Sequence, residues 1–267
     1  MTAPSPPIWI PTPDHLANAG PARLARHFQL PDYDALLRFA LEQPEAYWRG
    51  VAEVCEFVWD TPPASHVDLT AGREFPRWFP GARLNWVKSV LAWADRADGA
   101  TRLAIVDERE DGSVESIDYA TLRRRVVNFA AALSAAGVQP GDRIGLLLEN
   151  GLTASVSLLA IAALGAVVVP LFSGFGAEAV VARLSAAEAR VLIASASFQR
   201  RGKAVDLQSV VRAAWPRLPT LERVWWHSNE TSTVVDTTRE AQLIDCLRAA
   251  QGDTLSLPSC SPDDPFM

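Results

Sequence analysis

Two short turns hold the residues best suited to chemistry. Phe172-Ser173-Gly174-Phe175-Gly176 follows one apolar run and leads into a helical pattern. Its glycines let backbone approach a ligand, and the helix that follows offers free N–H groups and positive partial charge. Arg200-Arg201-Gly202-Lys203 follows the next such run and sets three cations within four residues around a glycine. That composition suits a phosphate clamp or a solvated basic turn, and the residue types alone leave both open. The four histidines (His15, His27, His66, His227) are scattered, three of them in predicted loops. The sequence holds no G-x-S-x-G elbow, no H-E-x-x-H pair and no G-x-x-x-x-G-K-[ST] loop, so no residue is assigned a catalytic or metal-binding role.

Both turns hang from the stretch Val138–Lys203. There the runs Arg143–Glu149, Ala166–Leu171 and Arg190–Ala194 alternate with the helical segments Leu152–Leu164 and Glu178–Ala187. Short apolar runs that each empty into a polar or glycine-bearing turn predict an α/β fold. Its sheet is helix-flanked and mainly parallel, with a ligand edge beyond the strands' carboxyl ends. Ahead of this stretch, Leu103–Glu108 and Ser113–Ile117 flank Asp111-Gly112 and predict a hairpin. Asp118 is placed to cap a helix bearing Leu122, Val126, Phe129 and Leu133 on one face and ending at Gly137. Downstream, the patterns predict a helix over Leu207–Trp215, a strand over Leu221–Trp226, a polar loop over His227–Val234 and a helix over Thr238–Ala250. Nearer the N-terminus, a Pro-rich arm (residues 1–20) precedes two helices expected between Ala22 and Phe57. Residues 60–75 read as loop, and Trp78, Phe79 and Trp86 around a Pro-Gly turn read as an aromatic clamp.

A net charge of −6 over 267 residues argues against a general nucleic-acid or anionic-membrane binder, so any phosphate site must be a local basic cluster. Cys55, Cys246 and Cys260 show no metal-ligand spacing, and the first ten residues hold Pro4, Pro6 and Pro7 in place of the basic n-region of a secretory signal. Both features point to reduced thiols in the cytoplasm. The longest apolar run, Leu158–Phe172, is broken by Gly165 and Pro170 and is too short for a membrane span.

With these residues in view, the chain resembles the N-terminal part of the acetyl-/acetoacetyl-CoA synthetase branch of the adenylate-forming enzymes. W-F-P-G-A-R-L-N (Trp78–Asn85) is similar to that branch's W-F-P-G-x-x-L-N segment, and the helices ahead of it, with Tyr47-Trp48-Arg49, resemble its cap region. G-V-Q-P-G-D-R-I (Gly137–Ile144) and L-A-I-A-A-L-G-A-V-V-V-P (Leu159–Pro170) resemble the first subdomain's core, and F-S-G-F-G-A-E-A-V (Phe172–Val180) is similar to F-G-G-F-S-P-E-A-V. The resemblance covers about residues 30–267; beside the Pro-rich arm (1–20) the expected organisation is a helical and loop cap region (21–95) and an α/β subdomain (96–267).

The family joins a carboxylate to MgATP as an acyl-adenylate, releases pyrophosphate and passes the acyl group to CoA. The resemblance implies that Gly174, Arg200 and Lys203 line the CoA site, with the two basic residues facing the 3′-phosphate. The family pattern there is Arg-x-Gly-Arg, so Lys203 keeps the charge and gives up the bidentate fork. In the family, D-D-P-F (Asp263–Phe266) precedes the Ser/Thr/Gly-rich loop that holds the ATP phosphates, and the present sequence stops at Met267. Two readings follow. The chain is an N-terminal piece of a short-chain acyl-CoA synthetase, inactive alone, whose partners are a carboxylate, CoA and ATP with Mg, none of them tightly bound. Alternatively, it is a non-catalytic module that keeps a CoA-nucleotide corner or only the fold. The oligomeric state is open.

Overall fold

A computed structural model describes residues 9–228, 234–250 and 257–267. They fall into two compact units divided between Arg83 and Leu84.

The first unit holds helices α1 (Pro13–Asn18), α2 (Gly20–His27), α3 (Tyr33–Glu42) and α4 (Pro44–Val54), then a short ribbon of β1 (Val67–Asp68) and β2 (Arg77–Trp78). Residues 9–20 depart from the expected arm: Thr12 caps α1, with Pro13 opening it and His15 completing the cap. Between Ala22 and Phe57 there are three helices where two were expected. The extra one, α2, buries only Leu24 and Ala25, too little apolar pattern to announce itself. Trp78 lies edge-on to Trp48 at 5.0 Å and Phe79 lies 5.4 Å from Trp59, so these two rings do clamp the Pro-Gly turn. Trp86 does not join them; it opens a helix of the second unit.

The second unit begins with α5 (Trp86–Leu91), the antiparallel pair β3 (Leu103–Glu108) and β4 (Val114–Asp118), and α6 (Tyr119–Ala135). There Trp86 packs on Phe266 at 5.4 Å. Asn85, only 2 % exposed, caps α5 through Val87 N–H at 3.2 Å and donates to the Ala163 and Pro258 carbonyls at 3.0 and 3.3 Å. Asp118 caps α6 as expected, accepting from Thr121 N–H at 2.6 Å. The sheet follows in βα alternation: β5 (Arg143–Leu147), α7 (Leu152–Ala163), β6 (Val167–Pro170), α8 (Ala177–Ala186) and β7 (Val191–Ser195). A hairpin, β8 (Ser197–Arg200) and β9 (Lys203–Asp206), intervenes before α9 (Leu207–Ala214), β10 (Arg223–His227), β11 (Glu240–Gln242) and α10 (Leu243–Ala249).

The five main strands are parallel in the order β11-β10-β7-β5-β6, giving the helix-flanked parallel α/β architecture that the sequence predicts. Alternate residues of each strand feed two cores. Ile144, Leu146, Val191, Ile193 and Trp225 join the helices α5, α6, α7 and α10 on one face. Leu147, Leu192, Ala194, Val224 and Trp226 join α8 and α9 on the other. Burial on both faces is what makes β5 and β7 almost continuously apolar. The helix expected over Thr238–Ala250 is partly wrong. Its first residues form β11, because pairing with β10 seats Glu240, 5 % exposed, against the Val235 N–H at 2.7 Å and Arg212 at 3.3 Å. Edge pairing overrides helical propensity there.

Gly145 sits in β5 beneath this second core, where a Cβ would lie 2.8 Å from both Leu184 Cδ2 and Leu192 Cδ1. Leu192→Ala is therefore expected to cost about 3 kcal/mol in urea unfolding. Gly145→Ala alone is expected to cost about 1–3 kcal/mol. Made on the Leu192→Ala background, where one of the two clashes is removed and Leu184 gains room to shift, Gly145→Ala should cost less.

Candidate functional site

The chain passes from β5 to β6 on one side and from β7 to β10 on the other, so the crevice outside the carboxyl ends of β5 and β7 is a topological switch point. A cavity of about 570 Å³ lies there, lined by Glu149 and Thr153 after β5, Gln199 after β7, His227 at the end of β10, and Asp107 and Glu110 of the β3–β4 hairpin. Ser195, fully buried, donates its hydroxyl to the Glu149 carboxylate. His227 Nε2 and Thr153 Oγ1 stand 3.4 Å apart. Burial pushes the His227 imidazole below its ordinary value, the negative charge of Glu149 pulls it partly back, and the Arg109 charge adds to the lowering. Asp107 accepts the Leu152 N–H at 3.1 Å, filling the N-terminus of α7 with the protein's own carboxylate.

The basic cluster stands beside this cavity and is not the simple turn expected. Ser197–Arg200 and Lys203–Asp206 pair antiparallel as β8 and β9, with Arg200 directly opposite Lys203. The two-residue loop between them, Arg201-Gly202, has φ of +53° and +71°, both left-handed, as a tight two-residue hairpin turn requires. Gly202 takes this conformation freely, whereas for Arg201 it is strained. Arg200 and Lys203 are exposed and lie on one face of the ribbon.

The glycine turn meets this hairpin. A Cβ at Gly174 would fall 2.9 Å from Arg200 Nη1 and 2.5 Å from Phe172 Cε1. The glycine thus leaves room for Arg200 and Phe172 to approach, while its φ is ordinary. The Arg200 guanidinium also lies over the Phe172 ring at 5.4 Å, and Phe172 meets Phe175 edge-on at 5.7 Å. Gly176 is the N-cap of α8 and supplies no side chain to its amides. The three residues singled out by sequence, Gly174, Arg200 and Lys203, therefore share one edge of the sheet. Sequence reasoning passed over Glu149 and His227. His227 was placed in a loop because His227–Val234 is polar, and residues 229–233 of that segment lie outside the described ones. The apolar run Val224–Trp226 leading into it was the signal that a strand ends at His227. Among the described residues no group of three or more His, Cys, Asp or Glu is placed to hold a metal ion, and no helix is long and apolar enough to cross a membrane.

The lowered His227 pKa has a definite sign. The unfolded chain takes up the proton near pH 6.5, before the folded chain does, so protonation favours unfolding as pH falls from that value toward the lower folded pKa. Wild type is expected to lose stability over this window relative to His227→Gln, the two running parallel above it. Urea midpoints measured across pH check the difference.

The model of the family described as "AMP-binding enzyme" matches residues 92–267, and that described as "Acetyl-coenzyme A synthetase N-terminus" matches residues 33–90. The chain is 32% identical to an acetyl-coenzyme A synthetase of Deinococcus radiodurans over 72% of its own length and 29% of that protein's. It is 31% identical to that of Streptomyces avermitilis over 76% of its length and 34% of the relative's. The structure of an acetoacetyl-CoA synthetase from Streptomyces lividans superimposes with a TM-score of 0.78 at 29% identity, covering 95% of this chain and 40% of that one. The chain spans about a third of the length of the curated relatives it matches. It belongs to the AMP-binding enzyme family, and it matches the N-terminal portion of that family's acetyl-/acetoacetyl-CoA synthetase branch.

Proposed function

We propose that this chain serves as the N-terminal part of an ATP-dependent short-chain acyl-CoA synthetase, and that Gly174, Arg200 and Lys203 are its share of the CoA-nucleotide site. The observation that supports this most is the packing of Gly174 against the Arg200 guanidinium, which joins the glycine turn to the basic hairpin. The Arg200 guanidinium, near the Phe172 ring, offers a planar fork of donors. Lys203, opposite it in the ribbon, adds a compact second charge on the same face. Two cations so placed suit the dianionic 3′-phosphate of CoA, while Gly174 keeps room for the nucleotide beside them.

The activity served is carboxylate activation. The carboxylate attacks the α-phosphate of ATP and releases pyrophosphate, and the CoA thiol then displaces AMP from the acyl-adenylate. These steps depend on positioning and charge neutralisation around the ATP phosphates. In the family pattern the residues that do this follow the segment corresponding to Asp263–Phe266. The partners are accordingly small molecules in a reducing, cytoplasmic setting, and the acidic net charge of −6 confines anion binding to the hairpin.

Two outcomes are expected. In calorimetric titration the chain should bind CoA roughly tenfold or more tightly than 3′-dephospho-CoA, and Arg200→Ala should abolish the difference; equal affinities in the unsubstituted chain refute the assignment. With acetate, propionate or acetoacetate, the 267 residues alone should release no ATP-dependent pyrophosphate, and turnover by a clean preparation refutes that part.

A further inference from the structure

The hairpin turn assigned to the phosphate is already touched by a carboxylate of the protein itself. Gly202 N–H, at the tip of the β8–β9 hairpin, donates to Glu110 Oε1 at 3.2 Å. Glu110 belongs to the tip of the β3–β4 hairpin, 92 residues earlier in the chain. That tip reads Glu108-Arg109-Glu110-Asp111-Gly112, so an acidic turn leans on a basic one, Arg200-Arg201-Gly202-Lys203. The contact is not an accident of a loose loop. The β3–β4 hairpin is anchored independently at Asp107, whose carboxylate takes the Leu152 N–H at 3.1 Å. The β8–β9 turn is in turn fixed by its left-handed Arg201 and Gly202, which direct its amide outward. Glu110 is exposed, and the Gly202 amide is the partner it meets on the β8–β9 turn.

An oxygen of a phosphate seated between Arg200 and Lys203 wants the same amide, because successive donors of such a turn form one anion-binding concavity. Carboxylate and phosphate cannot both take the Gly202 N–H. We infer that Glu110 is a built-in counter-anion that competes with the ligand phosphate for this turn, and so sets how strongly the site favours a phosphorylated ligand. The inference rests on the CoA-nucleotide reading above and adds a specificity-setting residue to it. When the phosphate enters, the Glu110 carboxylate is released to solvent and the two hairpin tips part. The β3–β4 tip lines the 570 Å³ cavity at the sheet edge together with Ser197–Gln199 at the base of the β8–β9 hairpin. A ligand without the phosphate has nothing with which to displace Glu110 and leaves the contact closed.

The test is Glu110→Gln, which keeps size and removes the charge, titrated with CoA and with 3′-dephospho-CoA beside wild type and the double variant Glu110→Gln/Arg200→Ala. Glu110→Gln is expected to tighten CoA roughly three- to tenfold, the range of one competing hydrogen bond to a charged acceptor. It is expected to leave 3′-dephospho-CoA unchanged, and the double variant is expected to lose the gain. If wild type prefers CoA but Glu110→Gln binds both ligands as wild type does, the counter-anion is overturned while the phosphate assignment stands. If neither protein distinguishes the two ligands, assignment and inference fall together. Equal tightening of both ligands by Glu110→Gln also overturns it, since that reports general charge and not competition at the phosphate.

Discussion

Burial of β5 and β7 on both faces is the constraint from which the rest of the second unit follows. Ile144, Leu147, Leu192 and Ile193 are fully buried, and neighbours along each strand point into opposite cores. A strand buried this way can place polar groups only at its ends, because an unpaired polar atom in its middle has no water and no partner. Polar side chains therefore collect where β5, β7 and β10 run out: Glu149, Ser195 and His227. The chemistry is at the sheet edge because there is nowhere else for it.

The edge is furnished by two hairpins whose bases pack on the cores, through Ile105 and Ile117 of β3–β4 and Phe198 and Val205 of β8–β9. Their tips are exposed and meet through a single polar contact, Glu110 on the Gly202 amide. Such tips gain little from the hydrophobic effect, and parting them costs about one hydrogen bond. The parallel sheet fixes where β7 ends, and the β8–β9 hairpin that follows it carries the cations. Asn85 does the matching work at the other side of the unit, where a single buried amide ties the start of α5 to the end of α7 and to Pro258. That gives the asparagine of the W-F-P-G-A-R-L-N segment a physical reason.

The sheet was legible in the sequence because two-sided burial writes long apolar runs. Asp118, Gly137 and the Asp111-Gly112 turn were legible because capping and turn conformations demand particular residues. The β8–β9 ribbon was not. Ser197–Arg200 and Lys203–Asp206 are nearly all exposed and show no alternation, so only the basic turn between them stood out. Arg201 also hides the turn type, since a left-handed position is usually marked by Asn, Asp or Gly. β11 was masked by a helical pattern that strand pairing overrode, and α2 by its brevity. Of the site, the residue types at 174, 200 and 203 could be read locally, but their approach to one another, and the arrival of Glu110 from 92 residues away, depend on tertiary packing.

On this reading the Gly174 turn and the β8–β9 turn act as one phosphate-reading corner. Two-dimensional ¹H–¹⁵N spectra of the chain, titrated with adenosine 3′,5′-bisphosphate and then with 5′-AMP, test it at the atoms concerned. The Gly202 and Gly174 amides are expected to shift together and saturably with the bisphosphate and to stay in place with 5′-AMP. Identical shifts with both nucleotides, or bisphosphate shifts that leave these two glycines unmoved, contradict it.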